Sequence, residues 1–590
     1  MKQFFNLGLT AVLLLSFTFT MNSCKKEEEV VPIPTVSASG SALTGTPGST
    51  VTLAATINAP GGLKSVTVLK NGAAFDSKTA NGETSYSYSN TYKIEDNLAA
   101  GTVVNFTVQA IDSKGQSSSL TTIPVTVTAI PPKTIVDVSG TLEGNITWTS
   151  DKIYRLKGFV RVGEDKTING TPTKTGVLTI QPGTLIVGEK ASKGALIIQR
   201  GSKIIAEGTA TNPIIMTSEV KPGEKQAGDW GGLIICGQSI TNLKAGELEG
   251  GYGGFFGGTT ATDNSGSLKY VRVEYAGIPI NPNQEVNSFT FGAVGSGTTL
   301  DYLQASYGLD DSYEWFGGTV NAKHLIAYKG LDDDFDTDNG FSGYVQYGIG
   351  IRGTTIADQS GSNGFECDND ADGSLNEPFT SAIFANMSII GAKNVAETAI
   401  SPQFQNGAQI RRSAKQKLYN VFITGYPNGI YVDSQKGQAK LNAANGDITF
   451  ENTILAGVTG WGGNGWGSAA GSTAQFAAAP RGFAVSDVEQ NATSTAILIG
   501  TQKPSDWFLG LPGNKILENT SKTGLSATLW ATGKPTFTLT TGTAESLIGP
   551  ALNSKLPAFF DKTDYVGAFK DVDWTNGWSE FNPQTVVYIK

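Results

Sequence analysis

The sequence has 590 residues, enough for several domains. Its 73 glycines and 16% charged residues depart from usual contents of about 7% and about 25%. This fits a large, turn-rich β protein and excludes a helical bundle, a coiled coil or a disordered chain. Lys and Arg total 43 against 52 Asp and Glu, a net charge of −9, so nucleic acid is not an expected partner. The single histidine, His324, leaves no imidazole set for Ser-His-Asp hydrolysis, Cys-His proteolysis or His-ligated zinc.

Residues 1–23 read as a secretory signal: Lys2 supplies the positive end, and Leu7 to Thr20 is an apolar run too short for a permanent membrane span. Met21-Asn22-Ser23-Cys24 resembles a bacterial lipobox, which implies lipidation of Cys24 and anchoring by acyl chains such as palmitate. Lys25-Lys26-Glu27-Glu28-Glu29 directly follows and resembles the surface-export signal of Bacteroidetes lipoproteins. Residues 24–38 are read as a lipidated tether.

From 39 to 130, short alternating segments such as Ser65-Val66-Thr67-Val68-Leu69 and Val103-Val104-Asn105-Phe106-Thr107-Val108 predict a small β-sandwich. Ala110-Ile111-Asp112-Ser113-Lys114-Gly115 resembles a hairpin of bacterial immunoglobulin-like modules. Pro131-Pro132 opens a linker expected over 131–140. Beyond it, runs such as Val177-Leu178-Thr179-Ile180 and Ala195-Leu196-Ile197-Ile198 follow too closely for crossover helices. Gly308-Leu309-Asp310-Asp311 recurs as Gly330-Leu331-Asp332-Asp333, a shift of 22, and Asn406-Gly407 recurs as Asn428-Gly429 at the same shift. A period of about 22 with three short strands suits one coil of a parallel β-helix. The expected architecture is all-β: an Ig-like sandwich, a right-handed parallel β-helix over 141–480, then final coils and a cap over 481–590. Cys236 and Cys367 then lie about six coils apart, roughly 29 Å at ~4.8 Å per coil. That is too far for a disulfide, which needs Cα atoms within ~7 Å, so both are expected as buried free thiols.

Arg200-Gly201-Ser202-Lys203-Ile204-Ile205-Ala206-Glu207-Gly208-Thr209, Gly228-Asp229-Trp230-Gly231-Gly232-Leu233 and Trp315-Phe316-Gly317-Gly318-Thr319-Val320-Asn321 resemble glycine-rich β-helix surface lipoproteins of the Bacteroidetes. The resemblance covers roughly 140–590 and implies a fold and a location on the outer membrane, facing the exterior. It brings no chemistry with it.

The repeat register aligns Asp311-Ser312-Tyr313-Glu314, Asp333-Asp334-Phe335-Asp336 and Asn363-Gly364-Phe365-Glu366. Alternation turns the aromatics inward and Glu314, Asp336 and Glu366 outward as an acidic ladder, with Gln409 and Tyr431 at the next rungs. A solvated acidic face and a calcium-bearing groove are both open at this point. Asp368-Asn369-Asp370-Ala371-Asp372-Gly373 offers Asp368, Asp370 and Asp372 beside Glu366 as a candidate calcium loop, though its twelfth position is Phe379 rather than the glutamate of an EF-hand. Arg352, Arg411 and Arg412 lie near these coils without a lyase motif around them. Trp461 and Trp466 are candidate sugar-stacking groups. No Walker-type loop or dinucleotide fingerprint is present, so a nucleotide cofactor is not expected.

The leading expectation is a non-enzymatic, lipid-anchored protein that binds a glycan, a nutrient ligand or a neighbouring surface protein such as a TonB-dependent transporter. A calcium-dependent polysaccharide lyase and a structural adhesion protein are the alternatives.

Overall fold

The computed structural model describes residues 30–589 except for 40–41, 96, 169, 244–245, 283, 395–397, 458–483, 492, 518–522, 532 and 539–554. The chain divides into two compact units, 1–132 and 133–590. The first is a β-sandwich. A three-stranded antiparallel sheet (Thr35–Ala38, Thr50–Asn58, Ser85–Lys93) shares one apolar core with a five-stranded sheet built around Leu63–Lys70 and Val103–Asp112. Leu53 and Ile57 from one sheet meet Val66, Phe106 and Val108 from the other, all buried, as strict alternation along each strand requires.

The second unit is a parallel β-helix. Its coils supply strands to a ten-stranded and a seventeen-stranded sheet, every pairing in both being parallel. The first paired strand, Thr134–Val138, aligns with Lys152–Leu156, so the β-helix already occupies part of the segment expected as linker. One inward column runs Val160, Leu196, Leu233, Phe289, Tyr313, Phe335, Phe365, Ala408 and Ile430, every member fully buried. Each large side chain so buried contributes roughly 1.5–3 kcal/mol, and it does so only because the coils above and below cover it. Cys236 and Cys367 are buried free thiols, and burial pushes the Cys236 thiol up to about 12.

At one corner of the seventeen-stranded sheet a left-handed residue recurs in register: Tyr270, Tyr302, His324, Tyr347, Asn386, Asn420 and Asn452, with φ between 51° and 63°. Asparagine tolerates this conformation; tyrosine and histidine pay about 1–2 kcal/mol for it. Their rings offset part of that cost by stacking, at centroid separations of 4.4, 4.2 and 5.0 Å along Tyr270, Tyr302, His324 and Tyr347.

The C-terminal tail, expected as a cap over the last coils, instead runs back along the flank of this sheet. Gly567 bonds Asn420, Glu580 bonds Gln304, and Tyr588 reaches Glu274. Trp574 and Trp578 meet the corner rings edge-on. Outward-facing Arg272, Gln304 and Gln346 each bond a tail residue, and that need for partners is what draws the tail sideways. Near the end of the coils Trp507 and Phe508, on the helix Pro504–Gly510, pack on Phe450.

Candidate functional site

The strands Tyr313–Gly318, Phe335–Asp338, Phe365–Cys367, Asn406–Ile410 and Asn428–Val432 stack in register in the ten-stranded sheet. Inward, the rings of Phe289, Tyr313, Phe335 and Phe365 follow one another at 5.1, 5.6 and 5.6 Å. Outward, one column reads Thr290, Glu314, Asp336, Glu366, Gln409, Tyr431. Two residues further along the strands, a second outward column includes Phe316 and Asp338.

The turn before each strand fixes this register. Asp311 Oδ1 accepts the Asp333 N–H at 2.7 Å, Asp333 accepts that of Asn363, and Asn363 Oδ1 accepts that of Asn406 at 3.1 Å. Asn428 Nδ2 then donates to Asn406 Oδ1 at 3.2 Å. Short polar side chains that bond nearby backbone are suited to such a ladder.

Upstream of Glu314 the same outward column carries no acid and reads Thr290, Ile234, Ile197 and Arg161. Ile197 and Ile234 lie beneath Leu248 and Phe256 of the hairpin around Gly246–Glu247 and Phe255–Phe256.

The insertion after Tyr344–Ile351 folds back over the acids. Buried Arg352 donates to Asp334 at 2.9 Å and to the Leu331 and Asp332 carbonyls. Ser360 Oγ lies 2.8 Å from an Asp332 oxygen and 2.6 Å from one of Asp358. The carboxylates, Asp311 and Asp333 buried and the rest half-buried, form three interlocked triads whose ligand oxygens lie within 4.8 Å of one another: Asp310–Asp311–Asp332, Asp311–Glu314–Asp336 and Asp333–Asp336–Glu366. Burial, reinforced by neighbouring carboxylates, raises Asp310, Asp311, Glu314, Asp332 and Asp336 well above the usual range. Burial also raises Asp333 to about 6 and Asp334 to about 6, against the pull of Arg352.

Two unit charges ~4.8 Å apart repel by about 3.5 kcal/mol at an effective dielectric of ~20. The groove therefore needs protons, guanidinium or a metal cation. At its far end Arg411 pairs with Glu366 and, at 2.8 Å, with Asp368, while Arg412 meets Asp368 at 2.6 Å. Among the described residues no such ion pair reaches Glu314 or Asp336. Buried oxygens of Asp332, Asp336 and Asn287 lack a hydrogen-bond partner there, and the Asn287 amide already touches Glu314. Clustered carboxylate and amide oxygens are the donor set that calcium takes, so these residues fit that ion.

The loop Asp368 to Gly373 arranges its acids differently from the expected calcium loop. Asp368 is taken by the two arginines. Asp370 Oδ1 accepts the N–H groups of Asp372 and Ser374 at 3.0 and 2.9 Å, a self-contained turn. Asp372 is 94% exposed, with Lys436 3.7 Å away. Of the four residues expected there as metal ligands, Glu366 alone joins a triad. Asp310, Asp311, Asp332 and Asp333 enter in their place; the repeated Gly-Leu-Asp-Asp, which marks the 22-residue period, was the visible signal. His324 is committed to the corner stack and contacts Asp301 at 2.8 Å through Nδ1. Cys24, Trp461 and Trp466 lie outside the described residues.

Residues 140–489 match a family model described as a pectate-lyase-like β-helix domain. No curated protein and no solved structure matches the chain.

Proposed function

The chain belongs to the pectate-lyase-like β-helix domain family, and we propose that it binds an acidic polysaccharide through calcium held on the carboxylate ladder. The reading includes a lipid anchor at Cys24 on the outer face of the outer membrane. One observation carries it: the three interlocked triads, with Asp336 shared by two of them. Bound calcium would cancel the repulsion between rungs and present coordination positions to a uronate carboxylate. Asp311, Glu314, Asp333, Asp336 and Glu366 would hold it. Arg411 fixes the outer edge of the site by clamping Glu366 against Asp368.

Calorimetric titration of the full chain with a galacturonate oligomer, in calcium and in chelator, tests this. Binding in calcium that chelator abolishes is expected; equal heats in both, or no binding in either, overturns it.

The arginine pair beside the ladder favours a second reading, calcium-dependent elimination, in which an arginine takes the proton beside the uronate. Burial alone would lower the Arg411 pKa, but Glu366 and Asp368 outweigh it and hold it well above its ordinary value. A base held so firmly protonated is a poor one, so binding is the first reading. Formation of an unsaturated uronate product on incubation with the oligomer would reverse that order.

A further inference from the structure

Beyond Glu366 the outward column changes from carboxylate to amide and phenol. Gln409 and Tyr431 occupy the next two rungs and line a cavity of about 150 Å³ together with Gln405, Gln490, Arg411 and Asp433. The amides and the phenol are fixed in place: Gln405 is 3%, Gln409 6%, Tyr431 1% and Gln490 4% exposed.

Their bonding leaves defined capacity. Gln409 Nε2 spends one hydrogen on Asp433 at 3.1 Å, and Gln490 Nε2 spends one on Asn406 at 2.7 Å. Each amide nitrogen carries a second hydrogen. Arg411 uses Nε on Asp368 and Nη2 on Glu366, which leaves the Nη1 hydrogens uncommitted among the described residues. Tyr431 donates to Glu489 at 2.7 Å and accepts from Gln435 and the Gln490 N–H at 2.9 and 3.2 Å, so it shapes the wall instead of binding. The remaining groups are amide donors and acceptors beside a guanidinium edge. A carboxylate placed here would face Glu366 and Asp433, with Arg411 already shared between two acids. Hydroxyl groups, which both donate and accept, match the lining.

We propose that this cavity is a subsite for a neutral sugar unit, one rung (~4.8 Å) beyond the cation-bearing carboxylates. The preferred ligand is then a polysaccharide in which a uronate adjoins a neutral sugar. This rests on the proposed cation-dependent binding and names the ligand class that the same groove selects.

The test compares two oligosaccharides of equal length on the full chain in calcium: one all galacturonate, the other alternating galacturonate with rhamnose. The alternating oligomer is expected to bind at least about tenfold tighter, the effect of one or two well-made hydrogen bonds. Gln409→Leu and Gln490→Leu are each expected to bring the ratio towards one, with thermal unfolding recorded to identify a variant that has lost its fold. Asp336→Asn is expected to weaken both oligomers alike. Equal affinities for wild type overturn the subsite while leaving cation-dependent binding intact. An unchanged ratio in two folded glutamine variants does the same. Binding of neither oligomer removes both readings.

Discussion

Asp336→Asn removes one charge from the centre of the ladder with almost no change in shape. Asp336 belongs to two of the three triads, and its Oδ1 is buried without a partner among the described residues. Its neighbours Glu314 and Glu366 sit one rung away on either side. If all three are ionised, each neighbour costs between about 1 kcal/mol in water and about 3.5 kcal/mol at an effective dielectric of ~20. Protonation of a rung caps the sum, so metal-free Asp336→Asn is expected to be more stable than wild type by about 3 kcal/mol at pH 8. The carboxyl pKa values here are raised on folding, so the native state keeps protons that the unfolded chain releases. The stability these groups contribute is then fully present near pH 4 and is lost as pH rises through about 6, where Asp333 titrates, with Glu314 and Asp336, also raised by burial, adding to the loss. At pH 5 the benefit of the amide should shrink towards zero. Calcium closes most of that gap at pH 8: at a hundredfold excess over its dissociation constant it adds about 2.7 kcal/mol to wild type, and much less to the variant. Denaturant unfolding in chelator and in calcium, at both pH values, measures this. Hydrogen exchange across 289–432 should accompany it, because a stacked fold opens in sections. A variant less stable than wild type in chelator at pH 8, or an equal gain from calcium in both proteins, would refute the reasoning.

Asp370→Ala should leave the calcium response of wild type intact while lowering stability by about 1–2 kcal/mol, since its oxygens serve its own turn; parallel unfolding curves check both parts. Phe335→Ala opens a gap between the rings of Tyr313 and Phe365 and should cost about 3–5 kcal/mol in denaturant unfolding. Cys24→Ala should move the protein from the membrane to the soluble fraction on cell fractionation; retention in the membrane would sink the anchor.

The repeat was legible because a stacked fold writes its period into the chain. The shift of 22 between the Gly-Leu-Asp-Asp turns is the spacing at which the Asp333 N–H meets Asp311, and the inward aromatics and outward acids follow from alternation alone. The enclosure of those acids was not legible. It depends on Arg352 reaching back to Asp334 and on Arg411 reaching Glu366 across 45 residues, contacts with no local pattern. The Asp368–Gly373 motif is ambiguous for the converse reason: its spacing serves equally for a cation loop and for a turn in which one aspartate bonds its own backbone. The left-handed tyrosines at the corner were hidden because nothing intrinsic to tyrosine marks it for that conformation.

The side-chain ladder in the turns separates what the coils must keep from what they are free to change. Along Asp311, Asp333, Asn363, Asn406 and Asn428 the chain travels 22, 30, 43 and 22 residues between successive contacts, yet the strands beyond stay aligned. Extra residues leave as loops, and the stack closes beneath them. Each outward rung can thus be exchanged, and each loop lengthened, without disturbing the rings behind it. Such a chassis can pass from one ligand to another through surface replacements alone, and related chains with the same inward column can carry quite different grooves.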